Sequence, residues 1–284
     1  MYPPKFDYHR AGSVAEAISL VNESDGKVLA GGHSLIPTMN LRLADPGTLV
    51  DIGRIDELKG ISASNGSVRI GALATHAAIA ASSDVPAGLS EGAGMIGDPQ
   101  VRNRGTIGGN IAHADPASDH PTILAALGAT INISGADGDR SVAAADFFQG
   151  LFETDLADGE IVTSVDVPSE GAGSGSSYVK LFNPASRYAM VGIAASVTVE
   201  GGTCTAASVA MGGLTPSTQK APSVEAALVG NALDDATITA AAEAIANDIG
   251  DEVLGDIHAS ESYRRSMAVV FAKRAIVAAA ERAG

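Results

Sequence analysis

Cysteine is nearly absent from this chain, tryptophan is missing altogether, and only five tyrosines and six phenylalanines occur in 284 residues. A lone thiol, Cys204, forms no internal disulfide and cannot supply the four thiolates of an iron–sulfur cluster. The six histidines (His9, His33, His76, His113, His120 and His258) show none of the close spacings, such as HxxxH, that hold zinc, so no metal ligands are assigned. No apolar run reaches the roughly 18 residues that span a bilayer. Met1-Tyr2-Pro3-Pro4-Lys5-Phe6 lacks the apolar core of a signal peptide, which makes a cytoplasmic protein the default expectation. Basic residues are scarce: 18 Lys and Arg stand against 33 Asp and Glu, a formal net charge of −15. Such a surface repels phosphate backbones, so nucleic acid is not an expected partner. No P-loop lysine motif supports nucleotide hydrolysis. If the chain does redox chemistry, an organic cofactor must carry it.

What is present describes a folded protein. Hydrophobic residues make up 45% and charged residues 18%, a globular balance in a chain long enough for a sizeable core in one or two domains. Ser13 to Val21 has apolar residues at helical spacing, with Ser13 and Glu16 as a capping box. Lys27 to Ala30 reads as a buried strand turning at Gly31-Gly32, after which Ser34 caps a short helix from Leu35 to Leu41. Val68, Ile70 and Ala72 alternate as in a half-buried strand, and Thr75 starts a helix. Gly97 to about Asp119 reads as one long glycine-rich loop before a helix at Pro121 to Leu127. Gly171 to Ser177 (GAGSGSS) has linker composition. Two strands joined at Gly201-Gly202 follow, then helices to the end. Segregated strands and helices indicate an α+β protein.

Two glycine-rich segments carry the functional reading. In Ala30-Gly31-Gly32-His33-Ser34-Leu35, adjacent glycines after a strand let backbone approach a ligand, and their N–H groups suit a pyrophosphate. The bland alternative is an ordinary strand-to-helix turn. In Thr106-Ile107-Gly108-Gly109-Asn110, continuing through Asp115 to Asp119, a glycine pair is flanked by groups able to bond phosphate, ribose and ring edges. Its alternative is a polar loop whose Asp and Ser side chains cap turns. Together the two pairs can clamp one extended ligand. Gly92-Ala93-Gly94-Met95-Ile96-Gly97 fits the G-x-G-x-x-G dinucleotide pattern, but it follows a helical stretch instead of a strand and is read as close helix packing.

AGGHSLIPTMNLRL and GTIGGNIAHADPASD resemble the two FAD-binding segments of the flavin subunits of molybdenum hydroxylases. FDYHR, DPQVRNRGTIGGN and GEIVTSVDVP are similar to the same family, particularly its carbon monoxide dehydrogenase branch, and the resemblance covers essentially the whole chain. It implies a two-subdomain FAD-binding fold of the vanillyl-alcohol oxidase type (1–54 and 55–170) and a C-terminal domain (171–284) with a three-stranded antiparallel sheet and a helical bundle. Carried over residue by residue, Ala30, Gly31, Gly32, His33, Ser34 and Leu35 bind the pyrophosphate side of FAD. Thr106, Ile107, Gly108, Gly109 and Asn110 face the cofactor from the second subdomain, and Asp119 takes a ribose hydroxyl. Ile161 and Val162 pack near the isoalloxazine, with Lys180 and Tyr188 contributed by the third domain. Arg102 and Arg104 lie near the cofactor, at an interface or in solvent. Some flavoproteins attach FAD covalently through a histidine after paired glycines; this family implies noncovalent FAD.

The resemblance also implies a division of labour. Molybdopterin and 2Fe–2S clusters belong to a large molybdenum subunit and a small iron–sulfur subunit, in a dimer of heterotrimers. This chain's FAD passes electrons to an acceptor such as a quinone, placing the complex at the inner face of the membrane, and no residue here is catalytic. The substrate is carbon monoxide, or alternatively an aldehyde or N-heterocycle. A stand-alone FAD oxidoreductase or a flavin-free assembly subunit are the competing readings.

Overall fold

The computed structural model describes residues 2–284. The first unit is a small α/β layer: β1 (Asp7–Arg10), α1 (Val14–Ser24), β2 (Lys27–Leu29), α2 (Leu35–Asn40) and β3 (Thr48–Asp51), with parallel strands in the order β1-β3-β2. Ser13 caps α1 by accepting from the Glu16 N–H at 3.1 Å, while the Glu16 carboxylate reaches back to the Gly12 N–H at 2.7 Å. The helix stops at Asp25, in the left-handed region at φ +50.

The second unit starts with β4 (Ile61–Ser64) and β5 (Ser67–Gly71), then the helices α3 (His76–Ala81), α4 (Ala87–Met95), α5 (Pro99–Arg102), α6 (Ile107–His113) and α7 (Asp119–Ala126). It continues through β6 (Thr130–Gly135), β7 (Gly138–Ala143), α8 (Ala144–Phe147), β8 (Phe148–Gly150), β9 (Glu153–Thr154) and β10 (Ile161–Pro168). Five of these strands form an antiparallel sheet in the order β4-β5-β10-β6-β7. Neighbouring side chains on a strand face opposite sides. Ile161 accordingly joins the core of the first unit with Val21, Val50 and Leu58, while Val162 joins the core of the second, so β10 is the seam between them. The segment 97–119 is not the single loop its composition predicts. Asp98 caps α5 and Thr106 caps α6, each through its side chain, and helices of four and seven residues are too short to display a periodicity. Gly92 sits inside α4, where an added Cβ would stand 3.2 Å from the Tyr178 ring, so close packing is indeed what that glycine provides.

The third unit comprises β11 (Ser174–Phe182), β12 (Ala189–Glu200), β13 (Thr203–Gly212), β14 (Gln219–Lys220), α9 (Pro222–Leu228), α10 (Asp235–Ala244) and α11 (Glu261–Ala283). Gly201 and Gly202, at φ +58 and +81, make the two-residue turn between β12 and β13. The sheet has four strands in the order β11-β12-β13-β14, the last a two-residue edge beyond the three expected. The expected linker is also corrected: Ser174 to Ser177 already belong to β11, and Gly175, Ser176 and Ser177 are buried. Their smallness lets α11 lie on the strand, since a Cβ at Gly175 would approach the Ala283 nitrogen to 2.7 Å. Backbone bonds join this unit to the second: the Ala189 N–H donates to Ala117 O at 3.1 Å and the Gly213 N–H to Pro116 O at 2.9 Å.

Candidate cofactor site

Beyond β2 the chain makes its turn at Gly31 and Gly32, the latter at φ +76. Gly31 is in contact with a different stretch of backbone. A Cβ added there would lie 2.8 Å from the Arg104 carbonyl carbon and 3.0 Å from the Gly105 Cα, so no side chain fits. Among the described residues, the N–H groups of Gly31, Gly32, His33, Ser34 and Leu35 donate to no protein acceptor. His33 is exposed, with Nδ1 3.1 Å from Gly31 O. Ser34 does not cap α2 as expected. It has helical backbone angles (φ −105, ψ −50) and makes no side-chain cap bond, whereas a capping side chain needs an extended backbone to reach the next N–H groups. The result is a run of unpaired donors beside a junction of two glycines, suited to an anionic group.

The second segment is built differently. Thr106 Oγ1 accepts from the Gly109 N–H at 3.2 Å, Ile107 N–H donates to Ala74 O at 3.0 Å, and Gly108 N–H donates to Ala72 O at 2.9 Å. Asn110 N–H donates to Thr106 O at 3.0 Å, and Asn110 Oδ1 accepts from the Ser118 hydroxyl at 2.6 Å. These N–H groups are therefore engaged, and the segment adds no second set of free donors. Gly108 is small because Ala72 packs on it, where an added Cβ would sit 2.8 Å from the Ala72 oxygen. Gly109 faces the other segment, its added Cβ 3.7 Å from Ala30 Cβ. The two glycine segments, some seventy residues apart in sequence, thus meet where Gly31 packs on the Arg104–Gly105 peptide, with Ala30 on the side that Gly109 faces.

Asp119 and Lys180 come together, but on each other. Lys180 Nζ donates to Asp119 Oδ2 at 2.8 Å, Arg187 O at 2.7 Å and Met95 O at 3.2 Å, while Asp119 Oδ1 accepts from the Tyr178 hydroxyl at 2.6 Å. The two side chains are 5% and 1% exposed, respectively, so Lys180 is a core residue. Burial pushes the Asp119 carboxyl up, opposed by Lys180 and then by Tyr178. Sequence reasoning missed Tyr178, whose hydroxyl is raised well above its usual range by burial and by Asp119. Tyr188 is 45% exposed and follows Arg187, whose φ is +63; partial burial, then Asp115 and Asp119, raise its hydroxyl. Ile161 and Val162 are each 4% exposed. Arg102 donates to Ile96 O at 3.0 Å and Gly97 O at 3.1 Å and so holds the end of α4; Arg104 is exposed and offers its backbone to Gly31. No group of three or more His, Cys, Asp or Glu able to hold a metal occurs among the described residues, and none of their helices is long and apolar enough to cross a membrane.

Comparison with known proteins shows which family the chain resembles along its whole length. The family described as FAD binding domain in molybdopterin dehydrogenase matches residues 4–170, and the CO dehydrogenase flavoprotein C-terminal domain matches residues 176–279. The carbon monoxide dehydrogenase medium chain of Hydrogenophaga pseudoflava is 39% identical over 98% of both chains. The glyceraldehyde dehydrogenase medium chain of Sulfolobus acidocaldarius is also 39% identical, over 97% of this chain and 98% of its own. A solved structure of carbon monoxide dehydrogenase from Hydrogenophaga pseudoflava superimposes with a TM-score of 0.94 at 41% identity, covering 98% of each chain.

Proposed function

The chain belongs to the FAD-binding subunits of the molybdopterin dehydrogenases, and from that premise we propose that it is the electron-transfer medium subunit of a carbon monoxide dehydrogenase. The observation that supports the site most directly is the contact of Gly31 with the Arg104–Gly105 peptide beside five unpaired N–H groups. Ala30 to Leu35 hold the pyrophosphate through backbone N–H groups, which bind it without a cationic side chain. Thr106 to Asn110 wall the opposite side, and Tyr188 covers the flavin from the third domain. Ile161, Val162, Asp119 and Lys180 stand behind this surface: the first two fix the seam, and the ion pair fixes the turn that carries Tyr188. Boundaries after residues 54 and 170 separate two cofactor-binding subdomains from a C-terminal domain.

Ala30 to Leu35, Thr106 to Asn110 and Tyr188 would hold FAD noncovalently, and the flavin, when bound, would supply one- and two-electron chemistry between the 2Fe–2S clusters of a small partner subunit and an acceptor, the substrate being oxidised at the molybdenum of a large subunit. The chain's own residues bind and orient the cofactor; none moves a proton to or from the substrate. A dimer of heterotrimers, a cytoplasmic location and a quinone acceptor at the inner membrane face complete the proposal. Glyceraldehyde oxidation is the second reading, favoured by the equal 39% identity to an aldehyde-oxidising relative. The test is to purify the chain with its co-expressed partners, record the flavin bands, repeat on the supernatant after acid precipitation, and assay dye reduction with carbon monoxide and glyceraldehyde. Flavin that moves into the supernatant and reduction by carbon monoxide support the proposal. Flavin that stays in the pellet refutes noncovalent binding, and reduction by glyceraldehyde alone selects the second reading.

A further inference from the structure

His76 and His120 lie outside both glycine segments, yet they meet beneath the junction of the two. The His76 N–H donates to Gly105 O at 3.1 Å, and a Cβ added to Gly105 would stand 2.6 Å from His76 Nε2. Nδ1 of the same ring is 3.0 Å from Nε2 of His120. His120 is 0% exposed, and its Nδ1 has no partner. Burial holds both imidazoles neutral. His76 is lowered to about 4, with His33 and Arg102 adding to the effect, and His120 is pushed well below its usual value, with His76 and Lys180 adding.

A neutral pair has two arrangements. If His76 Nδ1–H donates to His120 Nε2, the second proton of the pair sits on the buried His120 Nδ1 as a donor without an acceptor. If His120 Nε2–H donates to His76 Nδ1, the buried Nδ1 keeps only an unused lone pair, and His76 carries its proton on Nε2. A buried orphan N–H is the rarer and costlier defect, so the second arrangement holds. Among the described residues nothing accepts from His76 Nε2, and that atom is not sealed from solvent as His120 Nδ1 is.

We infer that His76 is a further cofactor-binding residue, whose Nε2–H, locked in that tautomer by His120, donates to a pyrophosphate oxygen of FAD at the Gly31–Gly105 junction. The inference rests on the FAD reading above. Its test uses the assembled complex, deflavinated and titrated with FAD, with phosphorus NMR of the bound pyrophosphate. His76→Leu should weaken FAD roughly ten- to hundredfold, as loss of a hydrogen bond to a charged group does, and should move one phosphorus resonance. His76→Gln, which keeps an amide donor at the Nε2 position, should recover most of both. An assembled His76→Leu complex with wild-type affinity and spectrum would overturn the inference and leave the FAD reading intact; a wild-type complex that takes up no FAD would refute both. Should His76→Leu fail to assemble, nitrogen NMR of histidine-labelled wild-type protein decides the matter: a His76 ring protonated on Nδ1 overturns the inference.

Discussion

Replacing Lys180 by methionine keeps the aliphatic bulk of the side chain and deletes its charge. The consequence is severe because all three ammonium hydrogens are used, on Asp119 Oδ2, Arg187 O and Met95 O, in a pair only 5% and 1% exposed. Removing one member of a buried ion pair leaves an uncompensated charge and costs about 3–5 kcal/mol. In a domain of this size each kcal/mol moves the melting temperature by roughly 2–4 °C, so a fall of roughly 6–20 °C is expected. The sign of the pH dependence follows from the carboxyl. Burial already raises Asp119, and Lys180 is the strongest opposing influence; without it the folded-state value rises further. The variant is therefore worst at high pH, where the unpaired carboxylate must stay charged, and it recovers part of its deficit as the carboxyl protonates on lowering the pH from alkaline towards the ordinary carboxylate range. Calorimetry of wild type, Lys180→Met, Asp119→Asn and the double variant across that range measures it. A single variant within about 1 kcal/mol of wild type, or a deficit that grows on acidification, refutes the reasoning, because either requires the pair to be solvated or uncharged.

Gly31→Ala drives a Cβ into the Arg104–Gly105 peptide; the complex should fold with little or no flavin, read as the ratio of flavin to protein absorbance. Thr106→Val removes the cap of α6 and should cost about 0.5–2 kcal/mol in urea unfolding, with weaker FAD retention, since the Gly109 N–H loses its acceptor. Arg282 pairs with Glu91 across the domain interface with both side chains about one-third exposed, so Glu91→Gln should cost less than about 1 kcal/mol and the difference should shrink at high salt.

The glycine turn after β2 was legible because a short strand ending in paired glycines has few other uses, although β2 itself is exposed at Lys27 and half-buried at Val28 and Leu29, not buried as its composition predicts; the β12–β13 hairpin was legible because both of its central residues require positive φ. The contact of Gly31 with Gly105 is a property of the tertiary fold, and no local pattern announces it. Lys180 shows the same limit: a lysine in a strand reads as surface until its counter-ion, 61 residues away, is placed beside it. Ser34 was misread because serine before a helix is the commonest cap, and only its backbone angles reveal that its hydroxyl is uncommitted. Ser174 to Ser177 was misread for a related reason, since small residues serve a flexible linker and a tightly covered strand equally well. His76 and His120 sit in sequence among ordinary helix formers, with nothing to mark them as partners.

The bonds between the second and third units bear on how such chains can be recombined. Residue 170 looks like a natural splice point, and a chimera joined there would keep the links to Pro116 and Ala117, because both acceptors are backbone carbonyls that any residue supplies. The link to Asp119 is different, for it needs a tyrosine and a lysine at the right places on the incoming β11. Transplanted C-terminal halves that lack either residue bury an unanswered carboxylate at the heart of the joint. These three positions are therefore inherited as a set, and a half-chain from a distant relative has to bring its own α7 along with it.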